Sequence, residues 1–293
     1  MAIKTYYLLK RYIDTSEKNL PLYVENLTST AATLIVDTQF SDATSVEYST
    51  DNSTWSSTNP GIPANGRVYI RATATYWGNG NNNSIVRSNN KYNVGGNIMS
   101  MLYGSLFTGT ETSFPDTTKQ YIFSNFFKSI AGMYSNVVSA EKLALPATTL
   151  TPYCYFGMFV GNTYFTTPPM LPATTLANNC YGNMFMNCSG LTTAPVLPAT
   201  TLADNCYRQM FYGCTALTTA PVLPATTLVS ECYSKMFQNC TNLSSITVGA
   251  TSWILQNNWV SGVSAQGTFT KPSGTTIPEG VNGIPSGWTV VNV

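Results

Sequence analysis

Seven cysteines are the side chains of this sequence with the widest range of chemistry, and they recur at a fixed interval of 26 residues. They form two series: Cys154, Cys180, Cys206 and Cys232, and Cys188, Cys214 and Cys240. A structural zinc site would need CxxC pairs or cysteine with histidine, but seven residues separate the two series and the chain has no histidine. Disulfides remain an alternative. The regular series favour buried free thiols that pack as small hydrophobic side chains, so we predict neither a metal nor a cofactor.

Acid–base catalysis is also poorly supported. Without histidine there is no Ser-His-Asp or Cys-His nucleophile system. Two carboxylates could hydrolyse a glycosidic bond, but residues 145–243 contain only Asp204 and Glu231 as acids. Each is followed four residues later by a basic residue, Arg208 or Lys235, which predicts ordinary ion pairs on a helix surface. We therefore expect that the protein is not an enzyme.

A 26-residue repeat must position these side chains. The hexamer LPATTL begins at Leu145, Leu171, Leu197 and Leu223, and a Met-Phe pair recurs at the same interval. A fixed period of this size is typical of a solenoid, in which each unit covers the apolar face of its neighbour. The predicted core of the repeats consists of Cys180, Cys188, Cys206, Cys214, Cys232, Cys240, Met184, Phe185, Met210, Phe211, Met236 and Phe237.

Each unit contains two kinds of segment. In "CYRQMFYGCTAL", apolar residues at i, i+4, i+5, i+8 and i+11 from Cys206 predict a short helix. The following "TTAPVLPATTL" is rich in threonine and interrupted by Pro221 and Pro224, which indicates a short extended segment. The predicted unit is an extended segment, a turn, a short helix and a second turn.

The pattern MF-x-x-C-x-x-L begins at Met184, Met210 and Met236. It resembles the BspA-type leucine-rich repeats of surface proteins from gut Bacteroidales and of structural proteins from their (crAss-like) phages. The resemblance covers residues 145–250 and implies a leucine-rich-repeat solenoid; the tail "WVSGVSAQGTFTKPSG" is similar to the terminal cap of such proteins. The first copy departs from the pattern, because Asn162 stands where the second cysteine belongs. Residues 124–144 look like a further, degenerate unit.

The flanking segments differ in composition from the repeats. In residues 21–95, β-branched and aromatic runs are separated by Asp-Asn, Asn-Pro-Gly and Asn-Gly turns, which predicts an Ig-like antiparallel β-sandwich. Val68, Ile70, Ala72 and Ala74 alternate with polar or amphipathic residues, as in a half-buried strand. The predicted fold class is therefore mainly β with short helices: an N-terminal sandwich followed by a capped leucine-rich-repeat solenoid.

The ends of the repeat array need covering. We expect residues 96–144 to form a junction and a degenerate capping repeat, and Met99, Met101, Leu102, Leu106 and Phe107 of the junction to cover the open end of the repeat stack. Residues 251–293 are predicted to form a C-terminal cap, with Trp253, Trp259 and Trp288 as its plugs. Residues 1–20 form an apolar N-terminal arm that either supplies the first strand of the sandwich or docks onto a larger assembly.

The surface predicted for binding is uncharged. Charged residues make up 9% of the chain and the net charge is +1, so neither nucleic acid nor an anionic membrane is expected as a partner. Tyrosine with serine and asparagine is typical of adaptable binding surfaces, and rows of threonine hydroxyls beside planar rings suit sugars, although threonine rows can also serve only the backbone turns. The predicted binding face consists of Thr174, Thr175, Thr200, Thr201, Thr226, Thr227, Tyr181, Tyr207 and Tyr233.

Together these observations predict a non-enzymatic structural or adhesive display protein. The N-terminal sequence "MAIKTYYLLKRYIDTSEKNLPL" lacks the apolar run of a signal peptide. We therefore expect a phage virion component, such as a head fibre, a decoration protein or a tail-associated protein, made in the host cytoplasm. Its N-terminal part would contact other virion proteins and its repeats a host-surface protein or glycan; a homo-oligomer is possible. The alternative is a BspA-like adhesin on the bacterial cell surface.

Overall fold

The chain is mainly β with few short helices. A computed structural model describes residues 17–39, 41–78, 84–129 and 136–293. The strands of these ranges are β1 (Leu22–Asn26), β2 (Leu34–Val36), β3 (Ser45–Ser49), β4 (Arg67–Thr73), β5 (Val86–Ser88), β6 (Tyr92–Asn97), β7 (Val137–Ala144), β8 (Ser245–Thr247), β9 (Thr268–Lys271) and β10 (Thr289–Asn292). The helices are α1 (Ser100–Tyr103) and two 3-10 turns, Glu17–Asn19 and Gly104–Leu106.

The N-terminal segment forms one five-stranded sheet in the order β3-β4-β1-β6-β7. Its first three ladders are antiparallel, but β7 is parallel to β6, so the sheet is mixed and not purely antiparallel as expected. The strands β2 and β5 form a separate antiparallel ladder. The predicted boundary at residue 95 falls inside β6, and β7 from the junction belongs to the same sheet, so this sheet ends at Ala144.

Strand β4 is half-buried as its alternating sequence predicts. Val68 and Ile70 are fully buried, and Ala72 and Ala74 are also buried, while the intervening side chains are partly or fully exposed. Of the predicted N-terminal arm, only residues 17–20 lie among the described residues. The two roles predicted for the arm, as a strand of the sandwich or as a docking segment, fall on residues outside the described ranges.

The repeats stack on one another, but their apolar segment is not a helix. Residues 179–187 and the equivalent segments of the other copies, 153–161, 205–213 and 231–239, form a chain of turns that we call the turn ribbon. In the second copy, φ is positive at every fourth residue, namely at Asn179, Asn183 and Asn187. An α-helix cannot accommodate such residues, whereas a type II turn requires one at its third position.

Hydrogen bonding in the turn ribbon alternates residue by residue. The amide of Met184 donates to the carbonyl of Tyr181 within the same ribbon, at 3.2 Å. The next amide, that of Phe185, donates to the carbonyl of Met210 in the following copy, at 2.9 Å. Every second N–H therefore closes a turn and every other N–H holds two copies together, so the backbone is satisfied without a helix.

Buried side chains follow the same four-residue frame. After each residue with positive φ come one or two core residues: Cys-Tyr, then Met-Phe, then the second cysteine. All the cysteines, methionines and phenylalanines predicted for the core have no exposed surface. The helical prediction is wrong because apolar spacings of four and eight residues fit a period of 4 as well as the helical 3.6 over so short a segment.

Two columns of aromatic rings run through the stack. The rings of Tyr181 and Tyr207 lie 5.9 Å apart with planes 2° from parallel, and those of Phe185 and Phe211 lie 5.6 Å apart. At the C-terminal end, the buried Trp259 contacts the last ring of both columns, Tyr233 and Phe237, at 6.2 and 5.9 Å. One indole thus ends both columns, which accounts for its burial in the cap.

The other residues predicted for the two caps differ in burial. Trp288 is buried and Trp253, half-buried, contacts Trp259 at 5.1 Å. Of the residues predicted to cover the other end, Met99, Met101 and Leu102 are buried and Phe107 is half-buried, but their burial does not by itself show a cap; Leu106 is 79% exposed and does not cover the stack as predicted. Residues 121–129 of the degenerate unit do stack: every second amide, from Tyr121 to Ser129, donates to a carbonyl of the first copy, as Phe123 does to Cys154 at 2.7 Å.

The second cysteine series is a set of hydrogen-bond donors. The thiols of Cys188 and Cys214 each approach the carbonyl of a phenylalanine in the preceding copy, Phe159 and Phe185, at 3.1 Å. In the first copy, Asn162 replaces the cysteine, and its Nδ2 donates to the carbonyl of Phe127 at 2.8 Å. The departure from the repeat pattern therefore preserves the donor, and Asn162 Oδ1 also accepts the amide of Val137, which begins β7.

The size of a side chain in the turn ribbon is limited where one copy packs closely against the next. Gly213 has a φ of 70°, and a Cβ at this position would lie 2.4 Å from Asn187 Oδ1. Gly274 has a similar φ of 79° with no atom within 4 Å of such a Cβ. The two glycines thus share the backbone requirement, but only Gly213 also has a steric one.

We predict that Gly213→Ala destabilises the protein more than Gly274→Ala does. Both should lose about 1–2 kcal/mol from the positive φ, and Gly213→Ala should lose more because the Asn187 side chain must move. The measurement is the free energy of unfolding from denaturant titrations. In the Asn187→Gly background, the excess loss at Gly213 should vanish; equal losses at the two glycines in the wild-type background would contradict the steric account.

Candidate functional site on the repeat stack

The threonines of the LPATTL segments form exposed rows along the stack. Thr174, Thr200 and Thr226 occupy one row, and Thr175, Thr201 and Thr227 the other, and all six are exposed. Parallel bridges connect Thr149 to Thr175 and Thr175 to Thr201. Beneath the rows, the first leucine and the alanine of each hexamer are buried, as at Leu197 and Ala199. The rows are therefore hydroxyl-bearing ridges fixed to a packed core.

The tyrosines predicted for the same face are not on it. Tyr181, Tyr207 and Tyr233 are each 1% exposed and form the tyrosine column of the core. Their burial raises the pKa of each hydroxyl well above its ordinary value. The prediction is wrong because the ribbon buries two consecutive residues in each four-residue step, the cysteine and the tyrosine after it, instead of one face of a helix.

The ion pairs also differ from the prediction. Arg208 Nη1 lies 3.4 Å from Glu231 Oε2 in the following copy, so the salt bridge joins two copies rather than residues four apart on one helix. The same guanidinium nitrogen also lies 3.4 Å from Asn205 Oδ1. Because both charged side chains are over 40% exposed, we expect this pair to contribute little to stability.

A second surface, missed by the sequence analysis, lies on the outside of the turn ribbon. A groove is lined there by Tyr153, Phe156, Asn179, Asn183, Arg208 and Gln209, and we call it the aromatic–amide groove. The two rings come from the first copy and the other four side chains from the second and third. The signal in the sequence was a difference between copies: Tyr153 stands where later copies have Asn179, Asn205 and Glu231, and Phe156 where they have Gly182, Arg208 and Ser234.

The cysteine thiols are unsuited to surface chemistry. All seven are free and buried, and burial raises the pKa of Cys154 to about 12 and that of Cys232 to about 11. A reactive cysteine needs the opposite, a lowered pKa and access to solvent. Within the described ranges, histidine, cysteine, aspartate and glutamate form no group of three or more that could hold a metal ion.

Comparison of the chain with models of known protein families, with curated proteins and with solved structures found no match. None of the helices in the part of the chain that the structure describes has the length and apolar character needed to cross a bilayer.

The buried thiols predict a loss of stability at alkaline pH. Because their pKa values in the folded state lie above the ordinary value near 9, the unfolded chain releases these protons first. The stability associated with each protonated thiol is present in full below pH 9 and is lost as pH rises towards 11, by about 1.4 kcal/mol per pH unit and thiol. Unfolding free energies measured between pH 7 and 11 check this.

The control for the alkaline loss is Cys206→Ala, which removes one buried thiol. The variant should reduce the decline of the unfolding free energy with pH by about 1.4 kcal/mol per pH unit, which is the contribution of one thiol. This change in slope is expected whatever the effect of the substitution on stability at neutral pH. The folded protein should react slowly with a thiol reagent at pH 8. After denaturation, all seven thiols should react. Fast labelling of the native protein would contradict the buried assignment.

Proposed function

We propose that the protein is a non-enzymatic display protein, in which a leucine-rich-repeat solenoid of the BspA type presents a binding face and the N-terminal part serves as the attachment. The exposed threonine rows carry this proposal. Two hydroxyl-bearing residues per copy point away from a fully packed core, in copies held together by regular backbone hydrogen bonds. A surface of this kind loses little conformational entropy on binding, since its side chains are short and its backbone is fixed.

The partner that fits this face is an uncharged protein surface or glycan. No acidic or basic side chain occurs within the four LPATTL hexamers, so long-range electrostatic attraction plays little part in the encounter. Threonine hydroxyls can both donate and accept hydrogen bonds, and their methyl groups contribute apolar contacts. The rows therefore suit a ligand that presents hydroxyls or amides at regular intervals.

The location that we propose is the virion of a phage that infects gut Bacteroidales, in keeping with the resemblance of the MF-x-x-C-x-x-L pattern. In this role the five-stranded sheet would attach to another virion protein. That sheet precedes the repeats in the chain and is bonded to their first copy, since the amide of Ala140 in β7 donates to the carbonyl of Thr167 at 2.9 Å. The attachment would thus be rigidly coupled to the display module. The second candidate is a cell-surface adhesin of the bacterium itself.

The threonine face is tested by replacing its two central pairs, Thr174→Val with Thr175→Val and Thr200→Val with Thr201→Val. Valine keeps the shape and removes the hydroxyl. We expect at least a tenfold loss of adsorption of the purified protein to host cells, with an unchanged melting temperature. The matched control is Thr192→Val, Thr193→Val, Thr218→Val and Thr219→Val, which alters equally exposed threonines outside the hexamers. Equal loss in both variants would contradict a role of the hexamer face.

The location is tested by quantitative mass spectrometry of particles purified from a Bacteroidales phage culture, with the bacterial envelope fraction measured in parallel. We expect the chain at a fixed stoichiometry to the major capsid protein in intact virions, and its depletion in the envelope of uninfected cells. Its presence in the envelope of uninfected cells and absence from virions would replace the virion proposal with the adhesin.

A further inference from the structure

The aromatic–amide groove is a surface distinct from the threonine rows and has the features of a ligand site. It is formed by Tyr153, Phe156, Asn179, Asn183, Arg208 and Gln209, which three successive copies contribute. Its volume is about 270 Å³, slightly below the range of roughly 300–1,000 Å³ for small-molecule pockets. The size favours a ligand of one or two small rings.

One wall of the groove is aromatic, and its rings are held in place. The ring of Tyr153 stacks on that of Tyr121, with centroids 4.5 Å apart and planes 22° from parallel. It also meets the ring of Phe156 edge to face at 5.6 Å. Phe156 lies over Gly182, where a Cβ would come within 2.9 Å of the ring. Both rings remain partly exposed, so they offer apolar surface without a large ordering cost.

The opposite side of the groove carries three side-chain amides with unused hydrogen-bonding capacity. Asn179, Asn183 and Gln209 all have positive φ, and their backbone groups are occupied: the carbonyl of Asn183, for example, accepts the amide of Met186 at 3.0 Å. Within the part of the chain that the structure describes, their side-chain amides form no hydrogen bond. Each amide offers two donors and one acceptor, and all three lie within reach of one bound molecule.

The charge in the groove is compensated. Among the described residues that line it, Arg208 alone is charged, and its guanidinium is paired with Glu231 at 3.4 Å. An anionic ligand would have to compete with that carboxylate, whereas a neutral ligand can accept the remaining N–H donors of Arg208 without disturbing the pair. The electrostatics therefore favour an uncharged ligand.

We propose that the aromatic–amide groove binds a neutral saccharide. A sugar ring has an apolar C–H face, which would pack on Tyr153 and Phe156, and a rim of hydroxyls, which would bond the amides of Asn179, Asn183 and Gln209. A purely aromatic ligand would leave these amides without partners, which is costly in a desolvated site. The proposal is independent of the threonine rows, because no residue belongs to both surfaces.

The chain itself supplies conservative variants for the test. Tyr153→Asn introduces the residue that stands at the same position in the second and third copies, and Asn183→Gly introduces the residue of the first copy. Both replacements tolerate the positive φ of these positions, so the fold should be retained. The matched controls are Asn187→Gly, on the same ribbon but outside the groove, and Tyr164→Asn, an exposed tyrosine elsewhere.

The experiment uses the full chain on an array of neutral, anionic and amino-sugar glycans, followed by calorimetric titration of the glycans bound. We expect binding of at least one neutral glycan. Tyr153→Asn and Asn183→Gly should each weaken it about tenfold, while Asn187→Gly, Tyr164→Asn and the valine variants of the threonine rows leave it unchanged.

The proposal is overturned by any of three results: no glycan is bound, only anionic glycans are bound, or the groove variants bind as tightly as the wild type. The test of the threonine face has a different readout, cell adsorption, and its result does not decide whether the groove binds a saccharide. If the threonine variants lose cell adsorption while glycan binding persists, the two surfaces act independently. If glycan binding follows the threonine variants and not the groove variants, the saccharide belongs to the rows and the groove assignment is wrong.

Discussion

The structure depends on how the backbone amides of the turn ribbon are divided. Every second N–H closes a turn within its own copy, and in the first three copies each of the others donates to a carbonyl 25 residues later, as Tyr181 does to Cys206 and Asn183 to Arg208. A helix would use all of these amides internally, and a strand would leave none for local turns. The ribbon does both, which lets a segment of nine residues fold locally and also pair with its neighbours. Backbone hydrogen bonds therefore hold successive copies together, and side-chain packing adds to them.

This division constrains the sequence at each step. The chain can reverse every four residues only if one of the four takes a positive φ, which favours the asparagines and glycines at many of these positions, although Tyr153, Gln209, Glu231 and Lys235 adopt it as well. The two residues that follow point inwards and form the aromatic and thiol columns. At the C-terminal end no further ribbon copy with this spacing follows, and Gln256 supplies the missing acceptor: its side-chain Oε1 accepts the amide of Tyr233 at 2.9 Å. The cap thus replaces a carbonyl as well as covering apolar surface.

Much of this arrangement could be predicted from the sequence, because a repeat multiplies weak signals. The 26-residue period, the thiol positions and the Met-Phe pairs all pointed to the residues that the structure buries. What could not be predicted was the local conformation, since apolar residues at Cys206, Met210 and Cys214 fit both a helix and a four-residue turn frame. The asparagines at 179, 183 and 187 favour the turn frame over the helix because they adopt a positive φ. Asparagine also occurs in other conformations, so its presence in the sequence does not by itself establish the φ angle. The incorrect prediction that the tyrosines are exposed has the same cause, because it also assumed a helix.

The position of the candidate site has a physical reason as well. Positions that point into the stack are nearly identical between copies, because each side chain must match the one above and below it: tyrosine on tyrosine, phenylalanine on phenylalanine. At positions outside the ring columns the copies differ: Phe156, Gly182, Arg208 and Ser234 occupy one row, and of these Phe156 and Arg208 are partly exposed. A small residue beside a large one creates a recess, as Gly182 does beneath Phe156. In a stack of near-identical units, a local recess forms where neighbouring copies carry side chains of different size, and the aromatic–amide groove lies at such a place.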